Sequence, residues 1–345
     1  VKTNTVVLKM EAYNELWINC YGNNLLGILR AQGFNESDAL VLMDMDFFCS
    51  TPDAVVPDNE VHTYYESGGG LLCARANISR LRKLFSREVI EGNNIDLHEV
   101  IQQRIKDGNY IFVSVDTSYF PHDVRPKKHP TCIYGFNLDA KVYYVVDDLS
   151  RVGILSKHEI PFSFFEKAYY AIENRKISSF GLCVDHLLTS EEYVKNIADG
   201  LHIAINGYDE GDYWRLTYGL KSILTAANRL EEVLPKIHSK LIFEQYWNIT
   251  YPFKAPLVLE ERNIFLLTNL LEKGVLQHAD YQQLRVGFEE SKNSIEKYRK
   301  KVMKHIYTDS LKSLKDSDFD FLRGKLLHVF SIDQQMSRGL IGLIT

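Results

Sequence analysis

Thr131-Cys132-Ile133-Tyr134-Gly135-Phe136-Asn137-Leu138-Asp139-Ala140-Lys141-Val142-Tyr143-Tyr144-Val145-Val146-Asp147 carries two β-branched and aromatic runs on either side of a turn. The runs 131–136 and 142–146 read as strands, and Asn137-Leu138-Asp139-Ala140 reads as the hairpin turn between them. A turn centred near Leu138-Asp139 pairs antiparallel residues whose numbers sum to about 276–278. His129 then falls opposite residue 147, 148 or 149, so the hairpin alone brings an imidazole beside Asp147 or Asp148. A carboxylate there fixes the ring tautomer and aims the other nitrogen at a nucleophile. Strand alternation sets the two acids on opposite faces. Asp147, the first acid after Tyr144-Val145-Val146, is favoured as the orienting one, with Asp148 the alternative. Two acids after a strand also read as a plain turn, and His129 among Pro126, Lys127, Lys128 and Pro130 also suits a loop.

Upstream, Trp17-Ile18-Asn19-Cys20 leads into a helical pattern from Asn19 to about Gln32, ending near Gly33. A thiol at a helix start feels the positive end of the backbone dipole, which favours thiolate. Thiolate, imidazole and carboxylate together are equipment for acyl transfer, so Cys20, His129 and Asp147 form the candidate catalytic set. Further helices are expected over 80–92 and 96–106, and a buried strand over Tyr110-Ile111-Phe112-Val113-Ser114-Val115. After about residue 185 the strand signals fade, and 189–206, 212–234, 236–246, 257–275, 279–307 and 316–334 carry helical periodicity, with Pro235 a break. The expected fold class is α/β (α+β): a catalytic domain over 1–180, then a helical domain over 181–345 that covers or shapes the cleft.

The chain has 345 residues and a formal net charge of -5, which gives no general attraction to nucleic acid. No stretch is apolar for the length of a membrane span, and the first residues lack the layout of a secretion signal. The cysteines, Cys20, Cys49, Cys73, Cys132 and Cys183, are odd in number with no CxxC pair, which suggests a reducing cytoplasm rather than a disulfide framework or a zinc site. Asp44 and Asp46 lack further ligands at local spacing, so no metal is expected. The run Gly68-Gly69-Gly70 lacks the Lys-Ser/Thr of a phosphate loop.

Several segments, in order, resemble the N-terminal domain of the butirosin biosynthesis protein H family. They are Asn19-Cys20-Tyr21-Gly22-Asn23-Asn24-Leu25-Leu26, Val113-Ser114-Val115-Asp116-Thr117-Ser118-Tyr119-Phe120-Pro121, His129 with Cys132-Ile133-Tyr134-Gly135-Phe136-Asn137, Tyr143-Tyr144-Val145-Val146-Asp147, and Ile160-Pro161-Phe162-Ser163-Phe164-Phe165-Glu166. The resemblance covers roughly residues 12 to 180. It implies a papain-like (peptidase C39-like) domain and an acyltransferase of natural-product biosynthesis. Such an enzyme moves an acyl or aminoacyl group from a carrier-protein thioester to an amine. Cys20 would take the acyl group from phosphopantetheine, His129 would act as base and then acid, and Asp147 would orient it. No cofactor is implied on the chain itself. The partners implied are an acyl or peptidyl carrier protein and a small amine or peptide acceptor, with no nucleic acid and no membrane.

One departure concerns the oxyanion donor. Papain-like proteases carry a Gln six residues before the nucleophile, where this chain has Asn14. Asn14, Asn19 and the backbone N–H of Cys20 are the candidates, and a thioester, easier to open than an amide, suits a weaker hole. His122 is a substrate-contact candidate, and Asp116 reads as a cleft residue or a cap. The basic stretches Arg80, Arg82, Lys83, Arg87 and Lys297, Arg299, Lys300, Lys301, Lys304 suit an acidic carrier protein or simple solvation, and 207–214 suits a polar-amine pocket or a joining loop. The alternatives are a thioesterase or amidase using the same three residues, and a catalytically silent binding module.

Overall fold

The computed structural model describes residues 4–34, 45–52, 71–76, 78–91, 95–121, 128–151, 153–173, 175–183, 189–210, 214–236 and 246–345. In chain order the elements begin with β1 (Thr5–Val7), α1 (Cys20–Ala31), β2 (Met45–Pro52), β3 (Leu72–Ala76), α2 (Ser79–Arg82), β4 (Phe85–Ile90) and α3 (Leu97–Lys106). Next come β5 (Tyr110–Asp116), β6 (Lys128–Asn137), β7 (Val142–Arg151), β8 (Ile154–Pro161), α4 (Phe162–Tyr170) and β9 (Ile177–Leu182). The chain continues with α5 (Ser190–Asn206), β10 (Asp209–Glu210), β11 (Trp214–Tyr218), α6 (Leu220–Val233), α7 (Tyr246–Glu272), α8 (His278–Tyr307) and α9 (Asp316–Ile344). Helix and sheet are mixed, with antiparallel pairing and long C-terminal helices, an α+β arrangement.

The chain divides into two units, Val1–Leu40 with Ile78–Leu188, and Val41–Asn77 with Thr189–Thr345. This departs from a single cut at 180/181. Residues 41–77 group with the C-terminal unit because β2 pairs both with β3 and with β11, in a four-stranded sheet ordered β10-β11-β2-β3.

The first unit is built on a seven-stranded antiparallel sheet, ordered β4-β9-β5-β6-β7-β8 with β1 also on β6. Both faces are covered, so its central strands read as near-continuous apolar runs. On one face Ile111, Val113 and Val115 of β5, Ile133 of β6 and Val145 of β7 pack with Leu97, Ile101 and Ile105 of α3 and Phe165 and Ala168 of α4. Phe112, one step out of phase on β5, instead meets Tyr21 of α1 at 4.8 Å and Phe180 of β9 at 5.1 Å between ring centroids. The catalytic-candidate helix therefore docks through Tyr21, the residue after Cys20.

Local chemistry explains the ends of α1 and α3. The Asn19 and Asp96 side chains cap the two helices, accepting from Gly22 N and Glu99 N. Gly33, with φ +91, turns the chain away after α1. Gly27 in mid-helix is required by contact: a Cβ there would collide with the Glu11 carbonyl oxygen.

Three expectations change. The region 80–92 is a single helical turn, α2, followed by edge strand β4, whose Arg87 pairs with Phe180. The spacing of Leu81, Leu84 and Phe85 is compatible with either state, and pairing with β9 decides it. The start of 212–234 is strand β11, separated from α6 by Gly219 at φ +71. Within 207–214, Asp209 and Glu210 form β10, which pairs back on β11, with Tyr208 stacked on Tyr218 at 4.4 Å. Residues 211–213 and 237–245 lie outside the described residues, as do Asp44 and Gly68-Gly69-Gly70, and the Asp46 side chain is not described. The expected helix 236–246 falls almost wholly on residues outside the described ones, while those over 189–206, 257–275, 279–307 and 316–334 hold, with α7 beginning earlier and α9 running on to Ile344.

Within the second unit, α7, α8 and α9 bury a polar group. Glu260 and Asp333 are 0% and 1% exposed, with Ser291 donating to Glu260 at 3.0 Å and Arg262 nearby. Burial, and for Glu260 the adjacent Asp333 carboxyl, push both acids up, so the folded state holds protons that the unfolded chain has released. Stability contributed by the pair is therefore present at acid pH and falls as pH rises from the ordinary carboxylate range through the raised folded values. Urea unfolding of this unit should show a lower midpoint at about pH 8 than at about pH 5, and Glu260→Gln should flatten that difference. A midpoint that rises with pH would contradict the assignment.

Candidate active site

The β6–β7 hairpin turns on Asn137, whose Oδ1 accepts from Asp139 N at 2.9 Å and Ala140 N at 3.0 Å, and Lys141 takes φ 53 to close it. Pairing runs Asn137↔Val142, Phe136↔Tyr143 and Gly135↔Tyr144, then shifts by one at a bulge and continues as Ile133↔Val145 and Cys132↔Val146. One residue past that last pair, the Thr131 hydroxyl meets the Asp147 carboxylate, with His129 two residues farther along β6. Asp147 thus reaches His129 diagonally, a spacing long side chains span.

The geometry brings the three candidates together. The Cys20 Sγ lies 3.8 Å from His129 Nδ1, and His129 Nε2 lies 3.2 Å from Asp147 Oδ2. The His129 side chain is 14% exposed and that of Asp147 1%. Asp147 Oδ2 also accepts from the Thr131 hydroxyl at 2.5 Å, and Oδ1 from the backbone N–H of Asp148 at 2.7 Å. Asp148 is engaged elsewhere, its carboxylate accepting from Gly153 N at 3.1 Å and tying down the turn into β8. The orienting acid is therefore Asp147. One atom from each of His129, Asp147 and Asp148 falls within 4.8 Å of the others. Both Asp147 oxygens already accept protein donors.

The segment entering α1 is organised by Asn23, which is wholly buried. Its Oδ1 accepts from Ile18 N at 2.9 Å and Asn19 N at 3.3 Å, and its Nδ2 donates to Tyr13 O at 3.0 Å and Leu16 O at 2.8 Å. One residue on, Asn24 Nδ2 donates to Val146 O at 3.4 Å, linking the helix of Cys20 to the strand of Asp147. Neither asparagine, nor Thr131, stands out as a site residue in the sequence. Asn-Asn inside a helix start is the signal that could have found the pair, because such residues disfavour helix interiors unless their side chains are engaged.

Asn14 does not serve as an oxyanion donor in this geometry. Its amide donates to Leu155 O at 2.9 Å and Ala12 O at 3.2 Å, and its Oδ1 accepts from Leu155 N at 2.7 Å, so both hydrogens are engaged and the two Leu155 contacts pin the chain to β8. Asn19 spends its Oδ1 on the cap at Gly22 N, 2.7 Å, which leaves its Nδ2 without a hydrogen bond among the described residues. His122 lies outside the described residues. Asp116 caps the turn Thr117–Tyr119, and the Ser118 contact holds its carboxyl below the usual range.

Cys20 differs in setting from the other cysteines. Cys49, Cys73 and Cys132 are buried, and burial pushes each thiol up, Cys49 to about 12 and Cys132 further through the Asp147 charge. Cys183 is exposed, whereas Cys20 is partly buried with an imidazole against its sulfur. Of the basic stretch, Arg82 lies over the Tyr21 ring at 5.1 Å. The second stretch is partly paired along α8, with Lys300 at 2.9 Å from Glu296 and Lys301 at 2.6 Å from Asp318.

No protein-family model matches the chain, and no curated protein is significantly similar to it. Among the described residues no helix is long and apolar enough to cross a membrane.

Asp147→Asn would place an amide, able to donate, where a pure acceptor now faces His129. Peptide-mapped alkylation of Cys20 by iodoacetamide near pH 6 is expected to slow at least about tenfold. Asn14→Ala should leave that rate within about twofold of wild type while costing about 1–2 kcal/mol in unfolding. A wild-type rate in Asp147→Asn would remove the acid from the site.

Proposed function

We propose that the chain is a cysteine-dependent acyltransferase that takes an acyl or aminoacyl group from a carrier-protein phosphopantetheine thioester and gives it to an amine. The observation that carries this reading is the Cys20 Sγ at 3.8 Å from His129 Nδ1, with Asp147 at 3.2 Å from the opposite ring nitrogen. The resemblance of residues 12–180 to the butirosin biosynthesis protein H family favours the same reading, and with it a papain-like first unit. That architecture agrees with a nucleophile at the start of α1 and a base and acid on adjacent antiparallel strands.

In the first half-reaction the Cys20 thiolate attacks the thioester carbonyl carbon. The intermediate collapses with loss of the pantetheine sulfur, which takes the proton held by His129. In the second, an amine attacks the acyl–Cys20 carbonyl, His129 takes a proton from the nitrogen, and the Cys20 sulfur leaves as the amide forms. The N–H groups of Cys20 and Tyr21, in the first helical turn where no intrahelical acceptor exists, and the Asn19 Nδ2 are the donors for the oxyanion. With Asn14 engaged elsewhere, this hole suits a thioester better than an amide, which favours transfer over peptide cleavage. A reducing, cytoplasmic setting belongs to the proposal, since all five cysteines are free thiols.

Incubation with acyl-pantetheine should add one acyl mass to the intact protein, mapped to Cys20, and an added amine should discharge it as amide. Cys20→Ala should fold normally, take no acyl group and turn nothing over. Discharge to free acid regardless of amine would make the chain a thioesterase. No adduct on Cys20 under any condition, with normal binding of a carrier protein, would make it a silent module.

A further inference from the structure

We propose that Thr131 is a positioning residue of this site, its hydroxyl fixing the Asp147 carboxylate and thereby limiting how tightly His129 keeps its proton. The inference rests on the Cys20–His129–Asp147 reading above and adds a residue to it.

Thr131 is wholly buried, and its hydroxyl meets Asp147 Oδ2 at 2.5 Å, the same oxygen that faces His129 Nε2 at 3.2 Å. The shorter contact belongs to the threonine. A hydroxyl donating to a carboxylate draws off part of its charge, so less remains to stabilise the imidazolium. Asp148 N–H holds the second oxygen at 2.7 Å, so the carboxylate cannot rotate to escape the competition. The position of Thr131 is also not incidental to strand packing: Thr131 and Asp147 each lie one residue beyond the paired Cys132 and Val146, and their side chains meet. A valine there would satisfy the strand and the volume equally well, so what threonine adds is the hydroxyl.

Other titratable groups share the surroundings. Cys20 approaches His129 from α1, Cys132 is the next residue on β6, and Asp148 follows on β7. From β8, Ser156 pairs with Asp147 and its hydroxyl meets His158 Nε2 at 2.8 Å. Lys128, beside His129, reaches Asp116 at 3.9 Å. None of these changes on substitution of Thr131, so a shift seen in such a variant belongs to the hydroxyl.

The test follows the His129 ring resonances by NMR through a pH titration, in wild type, Thr131→Val and Thr131→Ser, with Cys20→Ala as a background that removes the thiol. Thr131→Val is expected to move the His129 midpoint to higher pH by more than about half a unit, and Thr131→Ser to leave it in place. If Thr131→Val does not fold, Thr131→Ala against Thr131→Ser makes the same comparison, both lacking the methyl and differing in the hydroxyl. An unchanged midpoint, a move to lower pH, or a midpoint that follows the methyl rather than the hydroxyl overturns the inference. The pH profile of Cys20 alkylation, measured alongside, tests the catalytic reading separately: a profile indifferent to His129 defeats that reading, while the ring titration still decides the role of Thr131.

Discussion

Asp147 keeps a carboxylate at 1% exposure, and a charge so placed is tolerable only while donors surround it. Those donors are the Thr131 hydroxyl on the neighbouring strand β6 and the Asp148 N–H, with the His129 ring, also on β6, 3.2 Å from the same carboxylate. The requirement ties the site to strand register. A one-residue slip of β6 against β7 would carry Thr131 and His129 to the opposite face and leave the carboxylate stranded. The bulge between Ile133 and Gly135 sets the final register, so a local irregularity in the hairpin decides which side chains meet Asp147.

The same strand reaches back to the helix of Cys20. Asn24 joins α1 to Val146, one residue before Asp147, while Asn23 gathers four backbone groups of residues 13–19 around the helix start. Gly27 lets the helix approach Glu11 closely, and Asn14 fastens the incoming chain to β8. Cys20 is thus held at a helix start whose position is set on several sides by short polar side chains, each of which is fully or largely satisfied. The buried thiols Cys49, Cys73 and Cys132 show the contrast: burial pushes each of them up and leaves the cysteine an apolar packing residue.

Much of this was legible because hairpins are local. The turn signal at Asn137 and the two β-branched runs sufficed to place His129 near an acid, and the helix start near Cys20 followed from its periodicity. Other parts were ambiguous on physical grounds. Leu81, Leu84 and Phe85 fit a helix face and a strand start alike, and only pairing with β9 separates them. Trp214–Tyr218 reads as the head of a helix until β2, distant in sequence, supplies its hydrogen bonds. Asn14 was a reasonable oxyanion candidate by spacing, but spacing says nothing of the β8 backbone that occupies its amide.

Sequence alone therefore determined the hairpin, the cysteine at the start of a helix, and an imidazole near one of two acids, because each depends on residues close together or on one turn. Tertiary structure alone decided that the acid is Asp147, that Thr131 shares its oxygen, and that residues 41–77 group with the C-terminal unit. Those outcomes depend on register past a bulge and on strand partners far away in the chain. Both are set by which hydrogen bonds a segment completes, and no local pattern encodes that choice.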